Sequence, residues 1–124
     1  MRVLAFLFLL LSMPAFAWTP WDQKEADLTA NCAGVYSAAS YAIREYKYKR
    51  NDRQEDSDHF QRLSNILGYF ASNSGYEKKM QKQVTTAKEK YRKTVDEKET
   101  VHVLYDDIER CDSHVDRLHE LYTQ

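Results

Sequence analysis

Cys32 and Cys111 are the two cysteines of this 124-residue chain, and they lie 79 positions apart. A bond between them forces two distant segments to lie side by side at one height, because disulfide-linked Cα atoms stand about 4.4–6.8 Å apart. Whether they bond depends on the compartment, and the N-terminus speaks to that. Met1-Arg2 supplies a short positive start, Val3 to Leu11 is an unbroken apolar run, and Pro14 breaks the helix. Ala15-Phe16-Ala17 then places small residues at the two positions a signal peptidase reads. The run is too short to span a bilayer, and no second apolar segment follows it. Residues 1–17 are therefore expected to be a cleaved leader and residues 18–124 a single domain, periplasmic or secreted. No cysteine near the cleavage point is available to carry a lipid. In an oxidising compartment an even cysteine count predicts a bridge. Closing a loop of 79 residues stabilises a fold by roughly 4 kcal/mol on the loop-entropy argument.

Beyond the leader, the strong helix breakers are Pro20, Gly34, Gly68 and Gly75. Lys, Glu, Gln, Ala and Leu are abundant and no strand-like alternation appears, so helix dominates. Thr19 is placed to cap a first helix with Pro20 at its first position. Leu28, Cys32, Val35, Ala39, Ala42 and Tyr46 then recur at steps of three and four, with Ile43 widening the stripe. The polar stretch from Lys47 to Asp58 is expected to turn the chain. A second helix carries Phe60, Leu63, Leu67 and Phe70, with Ile66 beside them, and stops near Gly75 or Asn73. Ser74 with Glu77 has the form of a capping box for a third, which shows Met80, Val84, Ala87 and Tyr91.

No Gly or Pro lies between Tyr76 and the C-terminus, which by itself reads as one very long helix. A bond between the cysteines of one chain argues against it; the competing reading is a long coiled coil in which they bridge two chains. At about 1.5 Å per residue, Cys32 lies roughly 18 Å along the first helix. A straight helix from Tyr76 carries Cys111 more than about 50 Å along its own axis. Equal heights require a reversal near residue 94, where Thr94-Val95-Asp96-Glu97 is again a capping-box pattern. The expected fold is all-α: an antiparallel up-down-up-down four-helix bundle with one disulfide joining the first and last helices. Its last helix shows Val101, Leu104, Ile108, Cys111, Val115, Leu118 and Tyr122. Lysine dominates residues 77–93 and acid dominates residues 94–124, so the third and fourth helices are expected to attract.

Charge narrows the partners. Without Arg2 the chain keeps one basic residue fewer than its 18, against 19 acidic ones. That near-balance gives no reason to expect nucleic acid, which favours a strongly basic face. No G-x-S-x-G elbow, phosphate-binding loop or dinucleotide fingerprint occurs, and C-x-x-C-H for haem is missing. Bridged cysteines offer no thiolate. Neither an enzyme nor a cofactor is expected.

Two constellations stand out. Three histidines follow an acid by three residues, and Asp112, Asp116 and His119 line one side of the last helix. Acid–histidine pairs at this spacing hold metals in some helical bundles. They usually face inward there, whereas His102 and His119 sit one step off the apolar stripe. Separately, Tyr41 and Tyr48 lie seven apart outside the stripe, with Arg44 and Lys47 nearby. An aromatic–basic strip of this kind stacks on sugars, peptides or anions, or simply packs on a neighbouring helix. Tyr36, Tyr46, Tyr91, Tyr105 and Tyr122 are expected in the core with hydroxyls reaching water. Ala26, Ala30, Gly34 and Ala38 recur every fourth residue, a stripe suited to close helix approach.

The functional expectation is an exported, non-catalytic helical protein that binds another envelope macromolecule, as an inhibitor, immunity protein or adaptor does. Its partner is a protein or a cell-envelope polymer, with no stable membrane insertion after leader cleavage. The alternative is a divalent-metal-binding or metal-sensing bundle using Asp112, Asp116 and His119.

Overall fold

A computed structural model describes residues 23–46 and 53–123, without the side chains of 53–55 and 121–123. The leader, the Thr19–Pro20 cap, and Lys47 and Tyr48 of the aromatic–basic strip lie outside the described residues. Four helices follow in order: α1 (Gln23–Glu45), α2 (Arg53–Ser72), α3 (Glu77–Lys98) and α4 (Tyr105–Thr123), with a 3-10 turn Val101–Leu104 leading into α4. They form an all-helical bundle with the first and last helices joined by the Cys32–Cys111 disulfide, whose Cα atoms are 5.5 Å apart.

Side-chain partners fix the directions. Ser57 and Ser64 of α2 meet Ser40 and Ala33 of α1, so α2 descends as α1 climbs. Tyr91 of α3 meets Asn31 while Asp96, further on, meets Tyr41, so α3 climbs alongside α1. Cys111, His114 and Arg117 of α4 meet Cys32, Thr29 and Glu25 in reverse order, so α4 descends. The arrangement is up-down-up-down.

Helix α1 is the hub, packing along α2 and α3 and touching α4, while α3 and α4 make no direct backbone contact among the described residues. Burial reaches every side of α1: Ala26, Ala30, Ala33, Val35, Tyr36, Ala39 and Ala42 are all fully enclosed. Small side chains make this feasible. A Cβ added at Gly34 collides with the Ala87 side chain and lies 2.6 Å from the Ala87 carbonyl carbon, so α1 and α3 touch backbone to backbone there. On the α2 side serine does similar work. Ser64 Oγ donates to the Ala33 carbonyl at 2.7 Å and Ser57 Oγ to that of Ser40 at 3.1 Å, both hydroxyls buried. Each uses a carbonyl's second lone pair, so no polar group is stranded by the close approach.

Several local expectations are revised. Helix α2 starts at Arg53, within the stretch expected to be turn. Leu28 is 38% exposed and Ile66 and Tyr105 project to solvent, whereas Ser57, Ser64 and Ala71 are buried in their helix's contact face. Ser74 does not cap α3: its hydroxyl turns back to the Ala71 carbonyl at 2.7 Å, and Gly75, at φ +97°, makes the reversal. The last reversal falls five residues beyond Thr94. Thr94 lies inside α3 and donates to the Lys90 carbonyl, while Glu99 takes the left-handed conformation that ends the helix. Thr100 then accepts from the His102 backbone N–H at 3.1 Å and opens the 3-10 turn.

Candidate functional site

The last turns of α1 carry Tyr41 and Arg44, with Tyr46 just past its end, beside the C-terminal half of α3. Both phenols donate to one oxygen of Asp96, each at 2.6 Å. The two rings meet edge to face at 6.3 Å, and the Arg92 guanidinium lies over the Tyr41 ring, 4.1 Å from its centre. Two aromatic rings, a guanidinium and a carboxylate are thus held in one arrangement. The phenol hydrogen bonds, with help from Arg92, hold the Asp96 carboxyl below its ordinary range. The same hydrogen bond, with some desolvation and the carboxylate's charge, pushes the Tyr46 phenol well up. Both groups keep their usual charge state at neutral pH: Asp96 an anion, Tyr46 a neutral donor.

Of the strip read from the sequence, Tyr41 is partly buried and faces α3, while Arg44 is exposed with its Nε 3.4 Å from the Ser40 carbonyl. Arg92 and Asp96 of α3 complete the site, and both were missed. The signal was present: Arg92 and Asp96 are four apart and share a helix face. Nothing in the sequence, however, sets that face against the end of α1.

The second constellation does not assemble. Asp112, Asp116 and His119 are all exposed, and Asp112 accepts from the enclosed Tyr36 hydroxyl at 2.5 Å. Among the described residues no group of three or more His, Cys, Asp or Glu side chains is placed to hold a metal ion. Tyrosine hydroxyls expected to reach water end instead on the opposing helix: Tyr36 on Asp112, Tyr91 on Asn31, Tyr46 on Asp96. Desolvation first, and then the Asp112 contact, drives the Tyr36 phenol far above its ordinary range.

The histidine that matters to the fold is His114, which pattern reading passed over. It is buried at the α1–α4 contact, where Nε2 and the Thr29 hydroxyl are 2.8 Å apart and Nδ1 lies 3.0 Å from an Arg117 Nη. Arginine has no acceptor, so Nδ1 must accept, and the ring is neutral with its proton on Nε2. Nε2–H then donates to Thr29, whose hydroxyl donates to the Glu25 carbonyl at 2.9 Å. Arg117 closes the set on the Glu25 carboxylate at 2.8 Å. Burial, then the Arg117 charge, lowers the His114 pKa against a smaller opposing pull from Glu25. The spacing Cys111, His114, Leu118 was the available signal, since three and four are the steps of a buried stripe.

Fold and site together define a four-helix bundle, pinned by a disulfide, with a fixed aromatic–cationic surface at one end. Comparison of the chain with protein-family models, with curated proteins and with solved structures finds no match. Among the described residues no helix is long and apolar enough to cross a membrane.

Proposed function

We propose that this chain is an exported, non-catalytic helical protein that acts by binding another macromolecule of the cell envelope, in the manner of an inhibitor, immunity protein or adaptor. The observation carrying this reading is the end of α1. There Tyr41 is clamped between Asp96 and Arg92 beside the exposed cation of Arg44. Aromatic and arginine side chains dominate binding energy at protein interfaces, and holding them in place beforehand lowers the ordering cost of association. The leader-like residues 1–17 and the bridged cysteines support an oxidising, extracytoplasmic setting.

The test is capture from an envelope extract on the immobilised, disulfide-bonded protein. The expected result is a partner retained by the wild type and lost by an Arg44→Glu variant of unchanged helicity. Recovery of no specific partner from extracts of several growth conditions overturns the reading.

A further inference from the structure

Just below the Tyr41–Asp96 cluster, α1 and α3 enclose a hollow of about 190 Å³. Ser37, Tyr41 and Arg44 wall it from α1, and Lys88, Glu89 and Arg92 from α3. Three cations therefore surround one small concavity against a single lining carboxylate. The ion pairs found elsewhere among the described residues, Arg110–Asp107 and Arg117–Glu25, involve none of the three. Asp96, one turn beyond Arg92, stays an anion held by two phenol hydroxyls and offsets part of the Arg92 charge. Arg92 is anchored through its planar face on Tyr41, which leaves the N–H edge of the guanidinium to serve a ligand. Arg44 is tethered through Nε to the helix backbone.

Three cations around a concavity with one lining carboxylate repel one another and favour an anion. The number of donors narrows which anion. A carboxylate offers two oxygens and one charge, and is satisfied by a single arginine fork. A phosphomonoester carries about 1.5–2 negative charges and three strong acceptor oxygens, so it can meet two guanidinium edges and an ammonium at once. The Ser37 hydroxyl adds a further donor on the wall. The hollow measures about 190 Å³. That accommodates the five heavy atoms of a phosphate group and the first atoms of what carries it.

We propose that this hollow binds a phosphomonoester group through Arg44, Lys88 and Arg92. The inference rests on the binding role proposed above and names the chemistry that the site recognises. Glu89 opposes the ligand's charge and favours a group with a single approach, from the open side.

The test is an amide-resolved NMR titration of the oxidised protein at physiological ionic strength, using inorganic phosphate, a sugar phosphomonoester and a phosphodiester. Saturable shifts are expected around residues 37–44 and 88–92, with the monoester bound roughly tenfold or more tighter than the singly charged diester. Arg44→Gln and Arg92→Gln each weaken binding by about tenfold, while Glu89→Gln tightens it severalfold. That gain cannot come from misfolding. Two sources of the group are separated by co-sedimentation with vesicles. Retention on phosphatidic acid but not on phosphatidylglycerol assigns a lipid headgroup, whereas binding of the soluble monoester alone assigns a free phosphate ester. Shifts no stronger than those from chloride, or equal affinity for monoester and diester, overturn the proposal. So does an envelope partner whose capture requires Arg44 but is indifferent to both Arg92→Gln and excess sugar phosphate. In that last case the binding role stands and only its phosphate chemistry falls.

Discussion

Helix α1 is held in two different ways on its two sides. Against α3, and against α2, contact is made by small residues: Gly34 on Ala87, with Ala26, Ala30 and Ala38 on the same stripe, and serines bonded to backbone carbonyls. Against α4 it is made by a covalent bond and a run of polar pairs, beside the apolar Ile108, Val115 and Leu118 that join the core. The bond and the pairs are Cys32–Cys111, Thr29–His114, Tyr36–Asp112 and Glu25–Arg117. Close packing of the first kind excludes water and gains many short dispersion contacts at once. Hydrogen bonds of the second kind add only about 1 kcal/mol each, and an exposed ion pair less. The fourth helix, which lacks a second helix to lean on, thus depends on the sulfur bridge far more than the other three do.

The strongest way to break that contrast is to remove the bridge. Cys32→Ala/Cys111→Ala is expected to cost about 2–5 kcal/mol, and the loss is expected to be local. Amide exchange in Tyr105–Thr123 accelerates by orders of magnitude, while the middle of α1 and α3 keeps most of its protection. Uniform acceleration across all four helices instead means that the two sides of α1 are not separable units.

The next largest effect comes from the other side. Gly34→Ala gains about 1 kcal/mol of helix propensity, yet the added methyl meets the Ala87 and Lys88 backbone, which has no flexible end to swing away. Overpacking of this kind costs about 1–3 kcal/mol, so the steric term wins and the melting temperature falls by several degrees. A neutral or stabilising alanine disproves the backbone contact.

The smallest effect is a pH dependence at the α1–α4 contact. The folded His114 pKa is depressed below the 6.5 of a free imidazole, so the unfolded chain binds more protons at this site. Its stabilising contribution is fully present above pH 6.5 and declines as the pH falls from there toward the folded pKa. Denaturant midpoints between pH 7.5 and 5 are expected to drop for the wild type. They drop less for His114→Gln, which can still donate to Thr29 but carries no titrating ring. Parallel slopes for the two proteins rule out His114 as the source.

Much of the bundle could be read from residue order, and the failures have physical causes. The cysteine-height argument required a reversal in a stretch with no Gly or Pro, and a reversal is there. Its position was misjudged because a Thr inside a helix bonds back to the carbonyl four residues earlier as readily as it caps a new helix. Thr94 does this on Lys90. The residue that does turn is Glu99, a type with no preference for the left-handed region. Searching for apolar stripes likewise missed Ser57, Ser64 and His114, which are buried because each finds a partner on α1. Pairings across helices, such as Asp96 with two phenols, depend on the rotation of one helix against another. Spacing along a single helix carries no information about that rotation.

The enclosure of α1 on all sides has a bearing on how this molecule can change over time. A rod with three neighbours leaves mutation few neutral positions between Ala26 and Ile43, Leu28 being the exposed one, whereas the outward faces of its neighbours can drift freely. Diverged copies of the chain should share the spacing of tiny residues along one segment and little else. A saturation library scored for folding should show a single intolerant band flanked by permissive ones.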